Sequence, residues 1–286
     1  MTGTASRVEL PSGVRQRASA PFGRVVGSEL SWILHRPRNL LALLGLAVIP
    51  VLIGTVLAIT GGPSGGTGLF SAVAGNGLVL PVLALMLTQN LLLPLITAMV
   101  AADGLAGEAA NGTLRGLLLA PVGRVRLVVV KALGVLLMVV LAVGVVALSG
   151  VLTGLLIVGS DGLVTLSGTT LPLGEALGRV ALATGWCAVQ MAAVGAVALA
   201  ISATTEHSLL VLIATVGGLI VFGVLEAIPS LEWLKPIFIT ADWYSISDVL
   251  SDPIRWNNLV DGLWRAGCYM LVGFSAAVTR MATKDT

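Results

Sequence analysis

The chain has 286 residues, of which 56% are hydrophobic and only 10% are charged, and its mean hydropathy is +1.00. Soluble domains carry about 25% charged residues and disordered chains have low hydrophobicity, so this composition excludes both classes. The formal net charge of +2 is too small to indicate a nucleic-acid partner. The sequence therefore predicts an all-α membrane protein whose apolar helices face lipid.

The segment 21–37, ahead of the first long apolar run, favours a short helix lying at the membrane interface. Trp32 would anchor this helix among the lipid headgroups. Arg36 and Arg38 would face the lipid phosphates. Pro37 would end the helix before the membrane, because proline removes a backbone donor and clashes with the preceding turn.

A membrane-spanning helix needs roughly 20 apolar residues. Six runs meet this length, and we expect spans at about 39–60, 78–102, 130–158, 179–204, 208–227 and 259–279, all within a single domain over 21–280. The sixth run has the weakest signal, because Asp261 and Arg265 lie in its first turns. Their i, i+4 spacing, with the acid first, favours an ion pair on one helix face.

The positions of Lys and Arg predict the orientation, because these residues concentrate on the cytoplasmic side of a membrane. Twelve of the 16 fall on one side of the predicted spans: Arg7, Arg15, Arg17, Arg24, Arg36, Arg38, Arg115, Arg124, Arg126, Lys131, Arg280 and Lys284. We therefore expect a flexible basic N-terminus over 1–20 and a tail over 281–286, both cytoplasmic. The loop after the second span would lie on the same side.

The sequence offers little chemistry of its own. It has no G-x-x-x-x-G-K-[ST] phosphate loop, so we expect no ATPase activity in this chain. Ser64 lies in a Gly-x-Ser-Gly pattern like that of rhomboid-type intramembrane proteases. However, His35 and His207 would lie across the hydrocarbon core, about 30 Å away, and a serine nucleophile needs a base within hydrogen-bond reach. We predict no catalytic residue, no metal site and no bound cofactor.

The segment 107–124, GEAANGTLRGLLLAPVGR, is an island of charge and turn residues between the second and third spans. Its leucines fall on one side of a helix and its polar residues on another, which favours a short amphipathic helix that ends at Pro121. A helix of this kind, lying parallel to the membrane, would give another protein a surface to grip.

The order of residues in this island resembles the cytoplasmic signature of ABC type-2 exporter permeases, the membrane subunits of ATP-binding cassette exporters. The matching residues are Glu108, Gly112, Thr113, Leu114, Leu118, Pro121, Arg124 and then Lys131. The stretch from Glu29 to Asn39 similarly resembles the interfacial entry helix of the family. The layout of six spans, with a short loop between the fourth and fifth, also agrees.

The resemblance implies that the segment 103–120 is a coupling helix docking on a separate ATPase subunit, which would bind ATP and Mg. Glu108 would offer a charge to that partner, Gly112 would allow close approach, and Thr113 would hold the helix surface. Pro121 and Arg124 would set the turn into the third span. The resemblance also implies export across the bacterial cytoplasmic membrane, contact with membrane lipid, and pairing with a second permease, either a copy or a relative.

Polar residues at mid-depth in the spans are candidates for a translocation path, because each is costly in lipid and should face protein or water. These are Gln89, Asn90, Thr184 and Gln190. The alternative is that they form hydrogen bonds between helices. In the long external segment 227–258, the aromatic residues Trp233, Trp243 and Tyr244 are candidates for an external gate, and short helices dipping back into the protein are expected there.

Two other functions stay open at this level. A self-sufficient carrier or channel would transport without an ATPase, although the spans place no ionisable residue near their middle, where ion-coupled carriers usually have one. A membrane scaffold or assembly factor would carry no flux. The substrate is not indicated by the sequence.

Overall fold

The computed structural model describes residues 22–60, 76–110, 124–158 and 163–283, and in these residues nearly all regular structure is helical. Eight helices of ten or more residues are present there: α1 (Phe22–His35), α2 (Pro37–Thr60), α3 (Leu80–Gln89), α4 (Leu92–Ala102), α5 (Arg124–Thr153), α6 (Leu173–Thr204), α7 (Ser208–Glu226) and α8 (Trp256–Thr283). Their core is a single cluster of buried aliphatic side chains. The all-α class is confirmed.

Five segments of the described chain are long and apolar enough to cross a membrane: Pro37–Ile59, Leu92–Ala110, Val125–Ile157, Leu173–Thr204 and Ser208–Glu226. The expected sixth span, 259–279, lies within α8, a helix of 28 residues. Asp261 and Arg265 lower the hydropathy of this helix below that of the other five. The multi-pass arrangement is therefore confirmed, and a sixth span stays a prediction.

The helix expected over 21–37 is present as α1, and it ends where the sequence predicts. Arg36 is the one non-helical residue before Pro37, which begins α2. Proline suits this first helical position, because the N–H that it lacks would have no partner there. The Asn39 amide donates a hydrogen bond of 2.8 Å to the carbonyl of Ile33 and so links the two helices across the break.

The expected second span, 78–102, is not one helix. A 3₁₀ turn (Gly77–Val79) leads into α3, which ends at Gln89, and α4 begins only at Leu92. Pro94 explains the interruption, because its ring clashes with the carbonyl four residues earlier and it lacks an N–H to donate there. The Asn90 side chain instead donates to the carbonyl of Met86, at 2.8 Å.

The helix of α4 continues past its expected end. A π-helical turn (Asp103–Gly107) and a final turn (Glu108–Ala110) extend it, with Leu105 and Ala106 buried. The described part of the expected coupling helix therefore belongs to the second membrane segment and does not begin separately at Asp103. Residues 111–123, the N-terminus over 1–20, the loop holding Ser64 and the last three residues lie outside the described chain.

Glycines bring the ends of α3 and α5 into backbone contact. A Cβ added at Gly154, in the π turn that follows α5 (Gly154–Val158), would lie 2.0 Å from the carbonyl oxygen of Gly77. One turn earlier, a Cβ at Gly150 would lie 2.7 Å from Pro81. Only glycine allows so close an approach, so these residues set the distance between the two segments.

A short β-hairpin between α5 and α6 was not expected from the sequence. Strand β1 (Leu163–Val164) pairs antiparallel with β2 (Thr170–Leu171), with Leu163 opposite Leu171. Gly168 closes the turn with φ of +85°, a conformation that favours glycine. The hairpin lies against the segment that precedes α8, where Leu166 N–H donates to the carbonyl of Leu250 at 3.0 Å.

Two 3₁₀ segments lie between α7 and α8, where short helices were expected. The first (Pro229–Ile237) buries none of its residues, whereas the second (Trp243–Leu250) buries five. The second segment therefore packs back into the protein, and the first stays at its surface. We call this end of the bundle, with the hairpin, the outer end, and the end that holds α1 and Asp103–Ala110 the inner end.

Candidate functional site

At the inner end, one carboxylate joins the start of the chain to the second membrane segment. Asp103, in the π turn, accepts a hydrogen bond of 2.7 Å from Arg36 and also pairs with Arg38. Its side chain is mostly buried, so the two guanidinium groups offset the cost of burying its charge. The α1–α2 junction is thereby attached to the segment that leads into residues 111–123.

A second ion pair joins the same segment to α5. The Lys131 ammonium donates to the Glu108 carboxylate, and the side chains are 3% and 14% exposed. These two residues were selected from the family pattern, with Glu108 expected to offer its charge to an ATPase. The structure places that carboxylate on the chain's own lysine, and contact with an ATPase stays a prediction.

A third attachment joins the π turn to α6. The Ser202 hydroxyl accepts a hydrogen bond of 2.9 Å from the N–H of Ala106 and donates one of 3.3 Å to the carbonyl of Ala102. A π turn leaves backbone groups out of register with the α-helical pattern, so a side chain from a neighbouring helix can satisfy them. Ser202 is 1% exposed, so both hydrogen bonds lie inside the protein.

We predict that Ser202→Ala lowers the free energy of unfolding by about 1 to 3 kcal/mol, because it leaves a buried N–H without its acceptor. The matched control is Ser149→Ala on α5, whose hydroxyl bonds only to carbonyls of its own helix, Val145 at 2.7 Å and Val146 at 3.2 Å. SDS titration of the purified protein in mixed micelles measures both values. Equal values for the two variants would contradict the role given to Ser202.

The structure describes only some of the other residues that the sequence predicted for the inner end. Gly112, Thr113, Leu114, Leu118 and Pro121 lie outside the described chain. Arg124 is the first residue of α5, and Glu29 and Trp32 lie on α1. Their expected roles toward lipid and ATPase stay predictions.

The four candidates for a translocation path do not lie in one environment. Gln89 and Gln190 are each 1% exposed inside the bundle. Thr184 donates to the carbonyl of Val180 in its own helix, at 2.7 Å. Asn90 is exposed and lines a cavity at the outer end. The described contacts therefore bring only Asn90 to an open surface.

This outer cavity has a volume of about 490 Å³ and lies between α7, the break after α3, and the 3₁₀ segments. Trp243 and Tyr244, two of the three expected gate residues, line it together with Glu226 and Lys235. Trp243 is buried, and Tyr244 is exposed. Trp233, the third, is 72% exposed and does not line the cavity.

Next to the cavity, Arg265 of α8 pairs with Asp242 at 2.6 Å, and both are largely buried. The i, i+4 pair expected between Asp261 and Arg265 is not the one formed. The long Arg265 side chain reaches the loop, where the carboxylate of Asp242 is more enclosed and gains more from a partner. Burial raises the pKa of the Asp242 carboxyl above its ordinary value, and Arg265 opposes this shift.

Arg179, near the start of α6, holds the outer loop in place. Its guanidinium donates to the carbonyls of Val249 and Ser251 at 3.1 and 2.5 Å, and to the carboxylate of Asp252 at 3.2 Å. Thr169 of the hairpin turn donates to the same carboxylate, at 2.9 Å. The hairpin, α6 and the outer loop are therefore one hydrogen-bonded cap.

Sequence reasoning missed most of these partners. Asp103, Arg179, Ser202 and Asp242 were not selected as candidate functional residues. The signal for Asp103 was present, because a lone acid directly after a long uncharged run needs a cation nearby. Asp242 and Arg265 are 23 positions apart, and only the packing of the loop on α8 brings them together.

The helices and the two polar ends together define a multi-pass membrane protein with polar contacts concentrated at its two ends. The family model described as "ABC-2 family transporter protein" matches residues 69–278. The chain therefore belongs to the ABC-2 family and is a membrane permease of the ABC transporter type. No curated protein matches the chain. Membership of this family implies partnership with an ATP-binding cassette ATPase.

Proposed function

We propose that the chain is the exporting permease subunit of an ATP-binding cassette transporter in the bacterial cytoplasmic membrane. A separate ATPase subunit binds ATP and Mg and docks on the segment 103–120. The chain has no catalytic activity of its own, and both its termini are cytoplasmic. Family membership, together with the attachments of the inner end, carries the proposal.

The attachments support a role in transmission. Residues 103–110 form the first part of the proposed docking segment, and they are held to three other elements: the α1–α2 junction through Asp103, α5 through Glu108, and α6 through Ser202. A displacement of the docking segment would move all three elements together, since packed helices shift as units. The ATPase cycle would thereby reach helices on both sides of α4.

A second permease, a copy or a relative, completes the transporter in this proposal. Among the five candidate spans, Ser208–Glu226 and Pro37–Ile59 are the least buried. Each exposes a row of large aliphatic side chains, such as Leu44, Leu52, Ile213 and Val221. Lipid and the second permease together cover these two faces.

The proposal is tested by Gly112→Trp in the complex with its ATPase. A bulky side chain in the docking segment should keep ATP hydrolysis but abolish most ATP-driven transport, because the two subunits no longer seat closely. The matched control is Gly27→Trp on α1, where nothing lies within 4 Å of an added Cβ. Transport and ATPase binding equal to those of the unchanged protein would show that this segment is not the coupling site.

A further inference from the structure

The outer cavity has the properties of a ligand site rather than a gap between helices. It reaches from Glu226, at the end of α7, to Leu219, seven residues deeper, which is about 10 Å along a helix. Its volume of about 490 Å³ falls within the range of sites for drug-sized molecules. Leu219 and Ile220 supply an apolar wall, and Glu226, Thr240 and Trp243 supply polar groups.

A buried donor points to a ligand with an acceptor. Trp243 is 4% exposed, and its indole Nε1–H has no hydrogen-bond partner among the described residues. A buried tryptophan N–H usually has such a partner, because leaving it unpaired costs free energy. Trp243 is also one of the residues that line the cavity. An acceptor atom on a bound molecule would satisfy this N–H.

The charges around the cavity favour a cation. Lys235 is already held by Glu232, at 3.0 Å. Glu226 is bonded only by a neutral group, the Thr240 hydroxyl, which donates to its Oε1 at 2.6 Å. Asp242 and Arg265 neutralise each other. Of the two charged residues that line the cavity, Glu226 is therefore the one without an ion pair in the described chain.

We propose that this cavity binds the cargo of the transporter and selects amphiphilic amines of drug size. The ammonium group lies against Glu226, with the ring of Tyr244 near it at the rim, since aromatic faces attract cations. A carbonyl, ether or hydroxyl oxygen of the cargo accepts from Trp243. The apolar body packs on Leu219 and Ile220. The identification of this ligand as the transported cargo rests on the proposed function. Binding of the ligand to the cavity does not require ATP.

The test measures binding of a panel of arylalkylamines, each paired with its neutral N-acetyl derivative, by equilibrium dialysis. The full chain is used in nanodiscs, with whatever subunits accompany it. We expect the amines to bind more tightly than their amides. Glu226→Gln should weaken amine binding about tenfold, as loss of a charge-assisted contact implies, and leave the amides unchanged. Glu175→Gln, which changes an exposed carboxylate in the first turn of α6, far along the chain from the cavity lining, is the matched control.

Trp243→Phe is the second variant, which keeps an aromatic ring but removes the N–H. It should weaken amines and amides to the same extent. Measurements on the unchanged protein alone can overturn the proposal. They would do so if the protein bound amines and amides with equal affinity, or if it bound neither. An unchanged amine affinity in Glu226→Gln would do the same. Because no step needs ATP, these results are distinct from failure of the ATPase coupling.

Discussion

Lys131→Met should lower the free energy of unfolding by about 3 kcal/mol, because it leaves the carboxylate of Glu108 largely buried without its cation. Lys131 is 3% exposed and Glu108 14% exposed, so solvent compensates little of the loss. The same variant should also impair ATP-driven transport, since it detaches the docking segment from α5. SDS titration gives the first value, and transport by the reconstituted complex gives the second.

A double variant separates the lost pair from other effects of the substitution. Glu108→Gln combined with Lys131→Met removes both charges, and it should recover a large part of the stability that Lys131→Met loses. The matched control is Lys235→Met, whose pair with Glu232 is exposed on both sides, and it should change stability by less than about 1 kcal/mol. Equal losses in the buried and the exposed lysine variants would contradict the assignment.

Gly154→Ala should be the most damaging small substitution in the described chain, lowering the free energy of unfolding by about 3 kcal/mol through overpacking. Its Cβ would lie 2.0 Å from the carbonyl oxygen of Gly77, so the backbone of one segment has to move. The reciprocal variant, Gly77→Ala, meets the carbonyl oxygen of Gly154 at 2.2 Å and should behave alike.

The control for Gly154→Ala and Gly77→Ala should change the free energy of unfolding in the opposite direction. Gly144 lies on α5 with nothing within 4 Å of an added Cβ. Gly144→Ala should therefore raise stability by about 0.5 to 1 kcal/mol, because alanine restricts the unfolded chain and favours helix. If SDS titration finds similar changes in the free energy of unfolding for Gly154→Ala and Gly144→Ala, this result would contradict the close contact between the start of α3 and the end of α5.

Long apolar runs were enough to predict where most helices lie. The span expected at 208–227 is observed as Ser208–Glu226, and the expected end of α1 before Pro37 is confirmed. The break after α3 was missed although Pro94 signals it. A proline alone does not predict a break in a helix, because α2 continues through Pro50.

The polar contacts were harder to predict, because they depend on tertiary packing. The i, i+4 spacing on the helix predicted Asp261 as the ion-pair partner of Arg265. In the structure, packing of the outer loop on α8 brings Asp242 to Arg265 instead. The hairpin is too short, at two residues in each strand, to leave a periodic pattern in the sequence. Family resemblance selected Glu108 and Lys131, but only the structure shows that they bind each other.

In the proposed function, a separate ATPase subunit powers this permease. The most direct measurement is to purify the tagged chain from its native membrane in mild detergent and to identify the subunits that accompany it by mass spectrometry. We expect a stoichiometric subunit containing a G-x-x-x-x-G-K-[ST] phosphate loop, whose ATP hydrolysis drives transport when the complex is reconstituted. A chain that is isolated alone, in detergent and in nanodiscs, and that carries flux under an ion gradient without ATP would contradict the claim.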